Sequence, residues 1–402
     1  MLEVAKGSTC TNDEVYQFLS HFVIIEFGFL REGEKDPAEA INRIRDCLSP
    51  DEASKAPLVW SQLVQLARAS SGRSGQFNRA RLVRLISQNT RLIGANSLRG
   101  DLNTISALAK GYAALIPDDV GGTKLDRSSL VDKLSSKLKK VRLVQITGLP
   151  GSGKSVLVRS EVQRSLEIGP TLFLKAEQLE GTGWISYAAS QGLSGVSLET
   201  LLVEVGASGT PILFIDAIDR IEKSQQPIVL DLFRVITQSK LLDNWKIVVS
   251  LRDTGIEVLR NWLENFLSQE TIETLPVNHL NDDEAEILAK AKPHLRSLLF
   301  GVQQVQEIVR RPFFAKILDQ GYRGDARTTK FVPGSEIDLI EHWWLRGGYD
   351  ADGKNVLLRQ RVLLELARIR SRELSKPIRI SQLGSVDQID GLIADGILQQ
   401  VR

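Results

Sequence analysis

Eight residues near the middle of the chain, from Gly148 to Ser155, place the strongest constraint on its fold. They read Gly-Leu-Pro-Gly-Ser-Gly-Lys-Ser and match the pattern G-x-x-x-x-G-K-[S/T], in which backbone N–H groups surround a phosphate. A short apolar, β-branched run, Val141–Thr147, comes before them, and residues 156–165 follow with helical spacing. This strand, turn and helix predict a phosphate-binding loop, and a chance glycine-rich turn would not need these flanks.

The loop pattern assigns chemistry to its last two residues. The Lys154 ammonium is expected to reach the β- and γ-phosphates of a nucleotide, and the Ser155 hydroxyl to ligate Mg²⁺. The sequence therefore predicts ATP or ADP, with Mg²⁺, as the ligand. The predicted nucleotide contacts in this segment are Gly148, Leu149, Pro150, Gly151, Ser152, Gly153, Lys154, Ser155 and Val156.

Composition excludes several classes of protein. The chain has 402 residues, with 51 basic and 49 acidic side chains and a net charge of +2. This balance predicts no strong general attraction to nucleic acid or to an anionic membrane. Its two cysteines and four histidines lack metal-ligand spacing, no apolar run is long enough to span a bilayer, and the N-terminus lacks a signal-peptide layout. We expect a cytoplasmic protein with reduced thiols.

Apolar runs that alternate with helical stretches indicate an α/β domain. Strands are predicted at residues 141–147, 171–176, 211–216 and 246–251, and the segments between them have helical spacing. Such alternation is typical of a parallel sheet covered by helices on both faces.

Helical patterns flank this sheet on both sides. The order helix, short strand at 378–380, helix at 386–396 and strand at 397–401 indicates a winged helix at the end of the chain. The predicted fold is thus an α/β P-loop NTPase sheet sandwiched by helices, between an α-helical N-terminal domain and a C-terminal helical bundle with a winged-helix-like domain. The predicted units are residues 1–118 (α-helical domain), 119–140 (linker and lead-in helix), 141–278 (α/β domain), 279–334 (helical bundle) and 335–402 (winged-helix-like domain).

The strand that ends at Asp216 supplies the second element of the site. An apolar strand ending in a carboxylate at the sheet edge beside the loop suits Mg²⁺ coordination together with Ser155. An ordinary solvent-facing carboxylate is the alternative. Asp219, three residues on, is a candidate to orient the attacking water, and equally a helix cap or a partner of Arg220.

Arg252 ends another predicted strand, Val248-Val-Ser-Leu-Arg252, at the same sheet edge. A planar guanidinium binds phosphate oxygens in pairs, so Arg252 is a candidate to contact the γ-phosphate. A salt bridge with Asp253 or a neighbouring acid is the alternative. Two aromatic pairs, Phe313-Phe314 and Trp343-Trp344, are predicted to pack in the core.

Four segments in order resemble the signal-transduction NTPases with numerous domains (STAND), and among them the NACHT group. These are Gly148–Ser155, Phe214-Ile-Asp-Ala-Ile-Asp219, Val248-Val-Ser-Leu-Arg252 and Arg310-Arg-Pro-Phe-Phe314. The resemblance covers residues 141–402. It implies a magnesium strand with Asp216 and Asp219, a sensor strand with Ser250 and Arg252, and a proline, Pro312, that packs on the nucleotide base.

This resemblance also implies a function. NACHT-like proteins are ATP-dependent molecular switches of defence or signalling, so it implies an unidentified protein trigger or effector and nucleotide-dependent self-association. Arg220 stands where many of them carry a further acid, which implies slow ATP hydrolysis with binding retained.

Two alternatives stay open at this point. A DNA-associated AAA+-type ATPase of the initiator or loader kind also joins a phosphate loop to a winged helix. The near-zero net charge and Ala217, which stands in place of a second acid, disfavour it. A degenerate NTPase that holds nucleotide only as a structural ligand is the other.

Overall fold

The computed structural model describes residues 35–70, 77–267, 271–323, 331–348, 355–372, 378–380 and 386–394, with Thr11, Asp13, Gln17, Leu383 and Leu398. The chain forms two compact units, residues 1–76 and 77–402. The predicted boundary at residue 118 stays a prediction, and the division between the two compact units falls between Gln76 and Phe77.

The described part of the first unit is helical. It contains α1 (Lys35–Arg45), a 3₁₀ turn (Pro50–Lys55) and α2 (Ala56–Ser70). Helix α1 has Asp36 in its first turn and two arginines in its last, which suits the helix dipole. Helices α1 and α2 contact each other.

A parallel five-stranded sheet forms the centre of the second unit. A short hairpin, β1 (Asp119–Val120) and β2 (Thr123–Lys124), precedes it. The sheet strands are β3 (Leu143–Thr147), β4 (Leu172–Lys175), β5 (Ile212–Asp216), β6 (Lys246–Ser250) and β7 (Ile272–Pro276). Their spatial order is β4-β5-β6-β3-β7, and every neighbouring pair is parallel. The four predicted strands are confirmed, and β7 is an edge strand that was not predicted.

Helices cover the sheet and extend the unit beyond it. Along the chain they are α3 (Arg79–Ile86), α4 (Arg99–Ala114), α5 (Ser128–Lys140), α6 (Lys154–Ile168), α7 (Trp184–Ser190), α8 (Leu198–Ser208), α9 (Gln226–Gln238) and α10 (Ile256–Leu267). Helix α4 contacts both β4 and α6, and its Tyr112 meets the Phe173 ring edge-on at 6.4 Å. The apolar face of α4 packs in the same hydrophobic cluster as residues of the sheet.

A helical bundle follows β7. It comprises α11 (Asp282–Ala291), α12 (Arg296–Leu299), α13 (Gln303–Val309) and α14 (Pro312–Arg323). Its core includes Leu288, Leu299 and Leu318, and Val120 of the β1–β2 hairpin packs into the same cluster. The hairpin, which precedes the sheet in the chain, therefore packs against the helical bundle.

Three further helices are described towards the end of the chain: α15 (Glu336–Leu345), α16 (Val356–Arg372) and α17 (Val386–Ala394). The predicted strand at 378–380 is wrong. Ile380 lies in a 3₁₀ turn, and its carbonyl accepts a hydrogen bond from the Leu383 N–H at 3.0 Å. Ile378 and Ile380 pack on a small apolar cluster, so their alternation reflects burial rather than strand pairing. The predicted strand at 397–401 lies almost wholly outside the described residues.

Within the described ranges, every helix is too short or too polar to cross a lipid bilayer.

Candidate nucleotide-binding site

The phosphate loop connects β3 to α6 through glycines in unusual conformations. Gly148, Gly151 and Gly153 have φ values of 147°, 79° and 99°, which side chains rarely adopt. Space is limiting as well, because a Cβ on Gly148 would collide with the Val277 carbonyl oxygen, and one on Gly151 would come within 2.8 Å of the Phe313 Cβ. The glycines of the pattern are therefore required by this fold.

Lys154 begins helix α6 and folds back over the loop. Its ammonium donates to the carbonyl oxygens of Gly148 at 2.8 Å and Leu149 at 2.9 Å. Burial lowers the pKa of Lys154, and the carboxylates of Asp219, Asp253 and Asp216 oppose that shift. The charge thus lies at the loop, within electrostatic range of the acids at the sheet edge.

Asp216 and Ser155, the predicted magnesium ligands, are joined by a hydrogen bond. The Asp216 Oδ1 accepts hydrogen bonds from the Ser155 hydroxyl at 2.9 Å and from the Ser250 hydroxyl at 2.5 Å. Asp216 is 2% exposed, so it is not a solvent-facing carboxylate, and burial raises its pKa although both hydroxyls oppose this. The described residues contain no cluster of three or more acidic, histidine or cysteine ligands. A Mg²⁺ bound here would use this carboxylate, this hydroxyl, phosphate oxygens and water, as Mg²⁺ commonly does.

Ser250 is a site residue that the sequence marks only weakly. Strand β6 lies between β5 and β3, and Ser250 at its end also accepts a hydrogen bond from the Ala217 N–H at 2.8 Å. Ala217 has φ 57°, the one positive φ on a non-glycine residue in the described ranges. Ser250 thereby supports a left-handed turn that directs the chain from Asp216 towards Asp219.

Asp219 and Arg252 pair with each other rather than with their sequence neighbours. The Arg252 Nε lies 2.8 Å from the Asp219 Oδ2, and the Asp219 side chain is 5% exposed. Gly255 leaves room for this carboxylate, because a Cβ there would come within 2.5 Å of the Asp219 Cβ. Arg220 instead pairs with Glu177 at 3.2 Å. The alternative pair of Asp219 with Arg220 is therefore not observed. The alternative for Arg252, a salt bridge with a neighbouring acid, is met by Asp219 rather than by Asp253.

Glu177 lies near the same sheet edge as Asp216 and belongs to none of the sequence motifs. Strand β4 pairs with β5 so that Lys175 lies opposite Asp216, and Glu177 follows two residues later. Glu177 pairs closely with Lys175 as well as with Arg220. Burial raises the pKa of Glu177, but the hydrogen bond and charge of Lys175 and the charge of Arg220 outweigh it and lower the pKa overall.

Arg127 is a second residue that motif reasoning misses. Its guanidinium donates to the Ser152 carbonyl in the loop at 2.7 Å, to the Asn278 carbonyl at 3.0 Å and to the Glu284 carboxylate at 2.8 Å. Glu284 also closes the capping box of α11 through Asn281. One side chain thus links the phosphate loop to the helical bundle.

The start of α14 lies directly on the phosphate loop. The Phe313 N–H donates to the Gly151 carbonyl at 3.3 Å, and Pro312 Cγ lies 4.0 Å from where a Cβ on Gly153 would stand. Phe314 is buried as predicted, but Phe313 is 54% exposed, so the prediction that it packs in the core is wrong. Phe313 lies in the first turn of α14, beside the phosphate loop, rather than in the core of the bundle.

These elements line one cleft of about 350 Å³, a size within the range of small-molecule sites. One group of lining residues is apolar and comprises Leu115, Ile116, Pro117, Val120, Leu125, Pro312 and Phe313. The other is charged or polar and comprises Asp118, Asp119, Arg127, Lys154, Ser155, Lys175, Glu177, Asp216, Asp219, Arg220, Ser250, Arg252 and Lys316. Of the predicted contacts, Pro150, Gly151, Gly153 and Val156 also line it. Gly148, Leu149 and Ser152 are not among the lining residues.

No family model matches this chain, and a search of curated proteins finds no relative. Solved structures similar to it include the Walker-type ATPase PABY2304 of Pyrococcus abyssi, 15% identical over 67% of this chain and 88% of that one, with a TM-score of 0.36. A RuvB variant of Thermotoga maritima is 16% identical over 71% and 93%, with a TM-score of 0.33. The ORC1 protein of Aeropyrum pernix in complex with DNA is 14% identical over 72% and 82%, with a TM-score of 0.34.

Scores this low establish neither a fold nor a function, so the fold rests on the strand order, the phosphate loop and the acid at the end of β5. On these features, the chain has the α/β fold of a P-loop NTPase.

Proposed function

We propose that this chain is an ATP-dependent molecular switch of the NACHT-like branch of the STAND NTPases, with slow Mg²⁺-dependent ATP hydrolysis. One observation carries the proposal: a single cleft is lined by the phosphate loop, by Asp216 and Arg252 at the sheet edge, and by Pro312 at the start of the helical bundle. A nucleotide in this cleft would contact two parts of the chain at once.

The cleft is lined by both apolar and charged residues, which suits a nucleoside triphosphate as the ligand. The phosphates would lie on the loop beside Lys154, with Mg²⁺ between Ser155 and Asp216. The base would lie among the apolar residues, beside Pro312. Mg²⁺ binds oxygen ligands, and phosphate binds favourably at a helix N-terminus; this site offers both.

Arg252 is the proposed contact to the γ-phosphate. Asp219 holds it through Nε, and a guanidinium has five N–H donors, so the terminal nitrogens remain suited to phosphate oxygens. We propose that Asp219 contributes to turnover by fixing Arg252. Asp219→Asn is therefore expected to spare ADP binding and to slow turnover, and unaltered steady-state hydrolysis would refute that role.

Contacts across the cleft would couple the nucleotide to the helical bundle. Arg127 joins Ser152 to Glu284, and Phe313 joins Gly151 to α14. A movement of the phosphate loop would therefore displace the bundle through these hydrogen bonds. A ligand shifts such an equilibrium only through different affinities for two states. We propose that an unidentified protein trigger or effector and nucleotide-dependent self-association read out this change.

The exposed free thiol of Cys47 suits the reducing cytoplasm.

Small-angle scattering tests the switch. The wild type is expected to give different profiles with ADP and with a non-hydrolysable ATP analogue. Identical profiles, with both nucleotides shown to bind by calorimetry, would contradict switching and leave nucleotide binding intact.

Arg252→Ala sharpens the test. A charge-assisted hydrogen bond contributes about 1.5–3 kcal/mol, so the preference for ATP over ADP should fall about tenfold or more while ADP affinity changes little. Arg234→Ala, which removes an exposed arginine of α9, is the matched control and should alter neither.

A further inference from the structure

We propose that Glu177 is the catalytic carboxylate that orients the attacking water in ATP hydrolysis. This inference rests on the proposed ATPase function and adds a residue that no sequence motif marks. It follows from where Glu177 stands between two cavities and from how the other acids of the site are occupied.

Strand pairing brings Glu177 to the reacting end of the cleft. Lys175 is in register with Asp216, so the segment after β4 emerges beside the segment after β5, at the edge where the phosphate loop lies. Glu177 lines the nucleotide cleft together with Lys154 and Arg252, and its charge acts on Asp216. A carboxylate at this edge is suitably placed to meet the γ-phosphate side of a bound nucleotide.

A second cavity gives Glu177 access to water. It has a volume of about 420 Å³ and shares Glu177, Arg220 and Arg252 with the nucleotide cleft. Arg370 of α16 also lines it. The three shared residues therefore form the boundary between the proposed γ-phosphate position and a chamber large enough for several water molecules.

Three other acids act on Lys154, and none of them is free to position water at the cleft. Asp253 is exposed and is not among the residues that line the cleft. Asp216 accepts hydrogen bonds from Ser155 and Ser250 and is the proposed ligand of Mg²⁺. Asp219 is buried against Arg252. The Glu177 side chain is 33% exposed, and its partners Lys175 and Arg220 are long and adaptable, so its carboxylate has the freedom to accept a hydrogen from water.

The chemical step balances with these groups. The water oxygen forms a bond to the γ-phosphorus, and the bond from phosphorus to the β–γ bridging oxygen breaks, so that ADP leaves with that electron pair. Glu177 accepts a hydrogen bond from the water, takes its proton as the new bond forms and passes it to solvent through the second cavity. Lys175 and Arg220 lower the pKa of Glu177 and keep its carboxylate ionised but weakly basic, in line with the slow turnover proposed above.

Glu177→Gln is the direct test, with Glu180→Gln as the matched control, because Glu180 is exposed and lies outside both cavities. Loss of a positioned general base typically costs about 10²–10⁴-fold in rate. We expect Glu177→Gln to lower kcat by about a hundredfold or more, to keep the Kd for ATP measured by calorimetry, and to flatten the acid limb of the pH–rate profile. Glu180→Gln should change none of these.

A second variant separates catalysis from an ion-pair role. Arg220→Gln removes one partner of Glu177 but leaves its carboxylate, so turnover should fall far less than in Glu177→Gln. Equal losses in both variants would overturn the proposal in favour of a structural ion pair.

Further outcomes are equally decisive. A kcat within about threefold of wild type in Glu177→Gln would overturn the role of Glu177 and leave the proposed ATPase intact. A wild type that binds ATP but never hydrolyses it would refute both the ATPase and this role. If Glu177→Gln fails to fold, Glu177→Asp, which retracts the carboxylate, should lower kcat at unchanged ATP Kd, and unchanged kcat would again overturn the proposal.

Discussion

The ion pair between Arg127 and Glu284 should contribute strongly to the stability of the second unit. The two side chains are 13% and 9% exposed, and the Arg127 Nε lies 2.8 Å from the Glu284 Oε1. Arg127→Met removes this partner together with the hydrogen bonds to the carbonyl oxygens of Ser152 and Asn278. The change leaves the Glu284 charge largely buried.

The magnitude follows from burial. Breaking a buried pair by removing one partner costs about 3–5 kcal/mol, because the remaining charge is uncompensated. Glu284 keeps its hydrogen bond from the Asn281 N–H at 2.9 Å, so we expect a loss near the lower limit, about 3 kcal/mol. Adding Glu284→Gln removes the stranded charge, so the double variant should be about 0.5–3 kcal/mol more stable than the two single losses added together.

Urea unfolding followed by tryptophan fluorescence measures these losses, since Trp184 and Trp245 are buried in the second unit. Arg296→Met is the control, because Arg296 pairs with Glu286 on the surface of the same bundle and such pairs contribute little. If Arg127→Met cost no more than Arg296→Met, or if the two single losses added without coupling, the role of this pair would be refuted.

Two further predictions concern buried carboxylates. Asp216→Asn should weaken the Mg²⁺ dependence of ATP binding while raising the free energy of unfolding at neutral pH, because it removes an acid that is 2% exposed and costly to ionise; unchanged Mg²⁺ dependence in calorimetry would contradict it. Burial raises the pKa of Glu161, whose Oε2 has no hydrogen-bond partner, so the stability it contributes is present below its unfolded pKa and lost as the pH rises through its folded pKa. Glu161→Gln should therefore gain stability over wild type between about pH 4 and pH 7, and a constant difference in urea midpoint across that range would rule this out.

Local sequence patterns predicted most of the sheet and the phosphate loop. Strands β3 to β6 are nearly continuous apolar runs because both faces of a parallel sheet are buried. Strand β7 was not predicted from the sequence because it is an edge strand, Ile-Glu-Thr-Leu-Pro, in which only Leu275 is fully buried. The wrong prediction of a strand at 378–380 has the opposite cause. Ile378 and Ile380 alternate like the buried residues of a strand, but they pack on a small apolar cluster and Ile380 lies in a 3₁₀ turn.

Pairings across the site could not be predicted in the same way. Adjacent charges suggested Asp219 with Arg220 and Arg252 with Asp253, but strand ends bring Asp219 to Arg252 and Glu177 to Arg220. These partners are more than thirty residues apart, and only the strand order makes them neighbours. The contacts of Arg127 depend likewise on the loop, the segment after β7 and helix α11 meeting at one point.

Calorimetric titration of ATP and ADP, with Mg²⁺, into the wild type and Lys154→Ala tests nucleotide binding in the cleft most directly. Lys133→Ala, which removes an exposed lysine of α5, is the control. The wild type and the control are expected to bind both nucleotides, and Lys154→Ala to lose binding with an unchanged thermal midpoint, because it lacks the charge that faces the β- and γ-phosphates. Equal affinity of the wild type and Lys154→Ala for both nucleotides would contradict a phosphate-binding loop at Gly148–Ser155.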